Sequence, residues 1–188
     1  MAISVQRATA LRQWEGRLST MTRVREESER LHLIGHGGSR VVFDLSDGMV
    51  LKTPCLNTKR KTRRTRIGCA CNIRESITWQ RLSSLHAECT MFAQVYACAA
   101  DGSWLIAEAL KPHELGDPRF NERLRYFLGA FNRYYGSALD GGKSRYRAWV
   151  LDMHIGNFGV READDRLVLL DLDTVGIHLK GGPPLVFV

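Results

Sequence analysis

Two runs of β-forming residues, Arg40 to Leu45 (RVVFDL) and Met49 to Thr53 (MVLKT), are joined by Ser46-Asp47-Gly48. An Asp-Gly pair between such runs is a strong hairpin signal, because both turn positions call for positive φ and these two residues accept it. A hairpin here commits the N-terminal half to an antiparallel sheet. Two further strand-like runs, residues 91 to 99 and 103 to 109, flank Asp101-Gly102 and extend that sheet. Between the pairs lies RESITWQRLSSL, where Glu75, Trp79 and Leu82 share one helical face while Ile73 and Ile77 lie on the other. The spacing predicts a helix near 72 to 85 with contacts on two sides.

Helical periodicity also marks residues 7 to 29, through Leu11, Trp14, Leu18 and Met21. After the loop KPHELGDP, Asp117-Pro118 supplies N-cap and first-turn chemistry. The following helix is expected to bury Leu124, Phe127, Leu128, Phe131 and Tyr135 and to end near Gly136. Asp140-Gly141-Gly142 reads as a turn, and Leu167 to Leu170 as a strand. The order is a β-rich half with one inserted helix, then a mostly helical half. That is an α+β chain, and 188 residues suffice for one domain of two small lobes.

A net charge of +7 suggests acidic partners: nucleotide phosphates, nucleic acid or an acidic protein surface. The run Lys59 to Arg66 (KRKTRRTR) holds six cations in eight residues, with no acid anywhere between Asp47 and Glu75, and is expected to be a solvated loop. It has no aromatic neighbours for base stacking, so nucleic-acid binding through it would be salt-sensitive and sequence-blind, and is not favoured. The five cysteines show no C-x-x-C spacing, which points to reduced thiols and a cytoplasmic setting. Zinc at Cys69 and Cys71 would need further ligands that the sequence does not offer. The N-terminus MAISVQRATALRQWEGRL has no apolar core of the signal-peptide kind, and no stretch is long enough to span a bilayer, so no membrane partner is expected.

Transfer of a phosphoryl group from ATP needs backbone amides over the phosphates, a lysine to hold them and a carboxylate to fix that lysine. It also needs a carboxylate to orient the attacking hydroxyl, and an amide with a further carboxylate for magnesium. The chain offers a counterpart for each, in order. Gly35, Gly37 and Gly38 form a glycine-rich stretch, Lys52 ends a strand, and Glu75 sits on the next helix. Asp152 and Asn157, in LDMHIGNFGV, have the five-residue spacing of the protein-kinase catalytic loop. Asp171 follows the apolar run LVLL, where the metal-binding aspartate of D-F-G lies. Taken singly, each has an ordinary reading as turn, solvated lysine or surface acid. Their joint order is what carries weight.

On these residues the sequence resembles a very small protein-kinase-like protein. It is similar to the YrbL-type bacterial kinase-like proteins and the early serine/threonine kinases of podophages, which carry a similar D-M-H-x-G-N segment. The D-x-H-x-x-N form is also found in the aminoglycoside phosphotransferase branch. The resemblance runs from about Leu33 to Gly176. It implies a two-lobed protein-kinase-like fold with a reduced C-terminal lobe and an N-terminal helix. The division would be 1–30 for that helix, 31–110 for the N-lobe and 111–188 for the C-lobe, forming one domain. It implies an ATP- and Mg2+-dependent kinase acting on protein Ser or Thr. Gly35, Gly37 and Gly38 would cover the phosphates, Lys52 paired with Glu75 would hold them, and the backbone from Glu108 to Leu110 would meet adenine. Asp152 would be the base, with Asn157 and Asp171 on magnesium.

The chain departs from the pattern at several points. Val150-Leu151 stands in place of His-Arg, and D-L-D in place of D-F-G makes Asp173 a second candidate metal ligand. Only 17 residues follow Asp171, so the usual peptide platform is expected to be missing or supplied differently. His154 is expected to brace its loop, with phosphate contact as its alternative, and Ser39 to be a loop residue with autophosphorylation as its alternative. The rival functions are a kinase-shaped binding or inhibitory protein without catalysis, and a small-molecule phosphotransferase. A metal-dependent hydrolase built on Asp152, His154 and Asp171 would leave the glycines and Lys52 without a role.

Overall fold

The computed structural model describes residues 5–55, 63–85, 90–112, 116–135, 146–150, 155–172 and 175–179. The chain divides into two compact units, residues 1–80 with 94–109, and residues 81–93 with 110–188. Both units mix helix and sheet, which is the expected α+β class.

The first unit is built on the predicted hairpin, β2 (Arg40–Asp44) and β3 (Met49–Pro54). Its turn uses three left-handed residues, not two: Ser46, Asp47 and Gly48 have φ of 61°, 53° and 71°. The Asp44 carboxylate accepts the Ser46 N–H at 2.8 Å, which holds the first of them. With β1 (His32–His36), β4 (Val95–Cys98) and β5 (Leu105–Glu108) these strands form an antiparallel sheet in the order β1-β2-β3-β5-β4.

Period-two alternation gives this sheet two apolar faces. Phe43, Leu51, Trp104 and Ile106 pack against Leu18, just after the first N-terminal helix, and Val24 of the second. Val50, Leu105, Ala107 and Val95 pack on the opposite face with Trp79. The N-terminal helical stretch is two helices, α1 (Val5–Arg17) and α2 (Met21–Ser28). The break comes at Thr20, whose extended backbone (φ −139°, ψ 154°) lets its hydroxyl accept the Arg23 N–H and cap α2.

The inserted helix α3 spans Arg63–Leu85, longer than the expected 72 to 85. Arg63, Arg64 and Arg66 of the basic run therefore lie in its first turn and are exposed, which corrects the loop expected there; arginine is a good helix former. Lys59, Arg60 and Lys61 lie outside the described residues. Gly68 lets α3 approach the sheet, since a Cβ there would sit 2.5 Å from the Ser39 carbonyl oxygen and 2.8 Å from the Pro54 Cα.

The second unit holds α4 (Phe120–Tyr135), β6 (Lys111–Pro112), β7 (Tyr146–Val150), β8 (Phe158–Arg161), β9 (Arg166–Leu169) and β10 (Val175–Leu179). Strands β6-β8-β9 form one antiparallel sheet, and β10 pairs with β7. Among the described residues this half is thus richer in strand than the sequence suggested. The β8–β9 turn is acidic and lacks glycine, with Asp165 at φ 54° supplying the left-handed position, so no ordinary turn signal marks it. Residues 91–93 also leave the expected strand of 91 to 99: Phe92 bridges Leu169, and the Ala93 N–H donates to the Leu169 carbonyl at 2.9 Å.

Helix α4 buries Phe127 and Phe131, while Leu128 is exposed, contrary to expectation. Phe127 meets Phe158 edge-on at 5.3 Å, and Phe131 meets Phe92 at 6.4 Å. Buried Arg123 bonds Asp117 before the helix and Asp165 in the β8–β9 turn, both at 2.5 Å, and so clamps α4 to that hairpin. The side chain of Tyr135, and Gly136 to Gly142, lie outside the described residues. Among the described residues no helix is long and apolar enough to cross a membrane.

Candidate nucleotide site

Lys52 lies on β3 opposite Val42 and Leu105, on the sheet face that meets α3. Its Nζ reaches Glu75 Oε1 on α3 at 2.6 Å, the salt-bridge reach expected for this pair. Glu75 is completely buried, so its charge needs partners to persist there. It has a second one that the sequence reading missed. Arg40 Nη1 lies 2.5 Å from the other carboxylate oxygen, Oε2. Asn72, one turn earlier on α3 and also fully buried, completes the group. Its Nδ2 donates to the carbonyls of Lys52 (3.3 Å) and Gly102 (2.9 Å), and its Oδ1 accepts from Arg40 at 3.4 Å. Nearby, burial first and then the Glu75 charge push the Cys98 thiol up to about 11.

Signals for both missed residues do exist. Arg40 and Val42 alternate on one strand, so Arg40 shares the face of Lys52, and Asn72 is three residues before Glu75. Each is a polar residue on a face that must otherwise be apolar.

Arg40 follows directly on the glycine-rich stretch. Gly35 lies in β1, and the Gly37 N–H donates to the Arg40 carbonyl at 2.8 Å to close the β1–β2 turn. A Cβ at Gly38 would meet nothing within 4 Å, and φ at this residue is not positive. The fold alone therefore gives no reason for glycine at that exposed position. Beside it lies a depression of about 430 Å³ lined by Gly38, Ser39, Arg63, Arg64 and Ile67. Ser39 Oγ lies 3.8 Å from Cys71 Sγ. At the end of β5, the Glu108 carboxylate accepts the Gln94 N–H at 3.1 Å, and Leu110 begins the second unit.

In the second unit, Asn157 is buried and closes a short 3-10 turn, Ile155–Asn157, before β8. Phe158 opposes Leu169, and the Asn157 carbonyl accepts the Leu170 N–H at 2.8 Å. Asn157 and Asp171 therefore stand at the same end of the β8–β9 hairpin, one before β8 and one after β9. An amide oxygen and a carboxylate suit magnesium, which takes oxygen ligands and commonly uses one or two carboxylates with substrate phosphates. Asp152, His154 and Asp173 lie outside the described residues. Cys55, Cys69, Cys71 and Cys98 are free thiols.

No protein-family model and no curated protein sequence matches the chain. Solved structures do. WbdD bound to a kinase inhibitor matches at 15% identity and TM-score 0.48, over 74% of this chain and 32% of WbdD. The Rio2 kinase of Chaetomium thermophilum, in an ADP/Mg2+-phosphoaspartate complex, matches at 13% and TM-score 0.49, over 87% of this chain and 53% of that one. The choline kinase LicA of Streptococcus pneumoniae matches at 11% and TM-score 0.40, over 82% and 68%. The chain thus spans about a third of WbdD and about half of the Rio2 kinase. These neighbours are kinase-like folds and do not single out YrbL-type or podophage proteins.

Proposed function

We propose that the protein is a cytoplasmic ATP- and Mg2+-dependent phosphotransferase, a single kinase-like domain over 1–188 that phosphorylates protein serine or threonine. The observation that carries this reading is the buried Lys52–Glu75 pair, 2.6 Å apart between a strand and the inserted helix, with a glycine-rich turn closing the neighbouring strands. A lysine beside phosphates acts as a point charge that a carboxylate must position, and this arrangement supplies both.

In this reading Lys52 holds the α- and β-phosphates, and the amides around Gly35, Gly37 and Gly38 cover the phosphate chain. Backbone groups from Glu108 to Leu110 receive adenine. Asn157 and Asp171 hold magnesium, which supplies neutralising charge to the phosphates when bound. The acceptor hydroxyl oxygen attacks the γ-phosphorus as the bond to the β-phosphate bridging oxygen breaks. ADP leaves with that electron pair, and the hydroxyl proton passes to the Asp152 carboxylate. The basic run Lys59 to Arg66 recruits an acidic substrate protein; the exposure of Arg63, Arg64 and Arg66 supports this.

Incubation with labelled ATP, magnesium and a cell lysate, beside an Asp152→Ala control, tests the reading. Label on proteins that depends on Asp152 is the expected result. Label confined to small molecules would move the acceptor class, and no label with no Mg-ATP binding would remove the nucleotide site altogether.

A further inference from the structure

We propose that Arg40 is a positioning residue for Lys52, acting through Glu75 and Asn72; this rests on the phosphotransferase reading above. The strand register explains how it comes to act there. Val42 opposes Lys52 and Arg40 opposes Pro54, so Arg40 and Lys52 project from adjacent strands to the same face. Both meet one carboxylate, and each takes a different oxygen, at 2.5 and 2.6 Å. A carboxylate held by one cation can turn about its own bonds and carry that cation with it. Held from both sides, it presents a single position to Lys52.

The second connection runs through the main chain. Arg40 also bonds Asn72 Oδ1, and the other end of that amide holds the Lys52 carbonyl. The ammonium and the backbone of Lys52 are thus both tied back to Arg40. The ring is dry: Arg40 and Lys52 are 8% and 7% exposed, and Asn72 and Glu75 are fully buried. Bonds in such surroundings are stronger than in water. The residue type fits the task, because a guanidinium presents several donors in a rigid plane where an ammonium is a single mobile point. Arg40 also accepts the Gly37 N–H through its carbonyl, so one residue anchors both the glycine-rich turn and the lysine.

The test compares the full-length parent with R40M, R40K, K52M and the R40M/K52M double variant. Thermal melting checks that R40M folds, as it should, because Lys52 still neutralises Glu75. R40M should lower kcat/KM for Mg-ATP by about 10- to 100-fold, the loss typical of a misplaced reacting group. R40K should recover only part of this. The double variant takes both cations from buried Glu75 and folds less well, so its kcat/KM is compared per folded molecule; on that basis it should be no worse than K52M, since residues acting through one another are not additive. Parental kcat/KM in folded R40M, or losses that multiply in the double variant, would overturn the proposal. Should the parent neither bind nor use Mg-ATP, the phosphotransferase reading fails, and positioning is then read from Lys52 itself. An amine-reactive ester with mass-spectrometric readout should label Lys52 severalfold faster in R40M than in the parent. Equal labelling would refute the positioning role independently of any nucleotide.

Discussion

Removing the carboxylate from the buried cluster should be far more damaging than removing its lysine. Glu75→Gln keeps the shape of the side chain and deletes its charge. It leaves Arg40 and Lys52, both more than nine-tenths buried, without their shared carboxylate. Breaking a buried pair in this way typically costs about 3–5 kcal/mol. Lys52→Met differs, because Arg40 still sits 2.5 Å from Glu75 and keeps the carboxylate paired. The loss is one charge-assisted hydrogen bond, about 1.5–3 kcal/mol, part of which returns because a cation no longer has to be desolvated. A net cost of about 1–2 kcal/mol follows for Lys52→Met, and a gap of about 2 kcal/mol between the variants. With urea slopes of roughly 1–3 kcal/mol/M, the gap corresponds to about 1 M in midpoint. Three of the four tryptophans, Trp14, Trp79 and Trp104, pack in the first unit, so intrinsic fluorescence in a Trp149→Phe background reports its unfolding. A Lys52→Met midpoint equal to or below that of Glu75→Gln would refute the shared-carboxylate account.

Gly102→Ala should destabilise the same unit, because Gly102 has φ +72° and an added Cβ would lie 2.8 Å from the Cys69 carbonyl carbon. The combined strain is about 2–4 kcal/mol, and a parent-like melting temperature would contradict it. The raised pKa of Cys98 makes stability fall with alkali: above pH 9 the unfolded thiol ionises while the folded one keeps its proton until about pH 11, so the loss develops across that window. Cys98→Ala should flatten the alkaline limb of a stability-versus-pH curve, and an unaltered limb would show that another group controls it. Asp152→Asn should still bind Mg-ATP but transfer phosphate about 10²-fold more slowly, as losses of a general base usually run. Parental transfer rates would take Asp152 out of the chemistry.

The elements legible in the sequence were those whose signal is local. The β2–β3 hairpin announces itself through Asp-Gly, and α3 through the face shared by Glu75, Trp79 and Leu82. The elements that were missed depend on contacts between distant segments. Residues 91–93 read as the start of a strand because they are β-forming and apolar, yet Phe92 bridges Leu169, and no local pattern says which sheet a strand joins. The β8–β9 hairpin was hidden because its left-handed turn residue is Asp165 in an acidic stretch, not glycine. The expected burial of Leu128 failed for a related reason. Periodicity finds an apolar stripe, but what packs against α4 sets its width, and here Phe92 and Phe158 meet the Phe127–Phe131 line and leave Leu128 in solvent.

The same division applies within the site. Lys52 and Glu75 were picked out by their types and order, and their charged ends do meet. Type and order mark one cation for one carboxylate, and so do not mark Arg40. Register sets the actual number. A carboxylate that arrives over two adjacent strands faces whatever side chains those strands turn toward it, and Arg40 stands one residue pair beyond the Val42–Lys52 pair on that face. A slip of one residue between β2 and β3 would turn Arg40 to the α1–α2 side and leave Glu75 with Lys52 alone. The two-cation arrangement is therefore a property of the hairpin turn as much as of the residues. The three left-handed positions at Ser46, Asp47 and Gly48 set the register that brings Arg40 to Glu75. It follows that Gly48→Val, which disfavours positive φ far from the cluster, should disturb Lys52 as well as the hairpin. Faster labelling of Lys52 by an amine-reactive ester in that variant is the expected outcome, and labelling at the parental rate would break the link between turn and site.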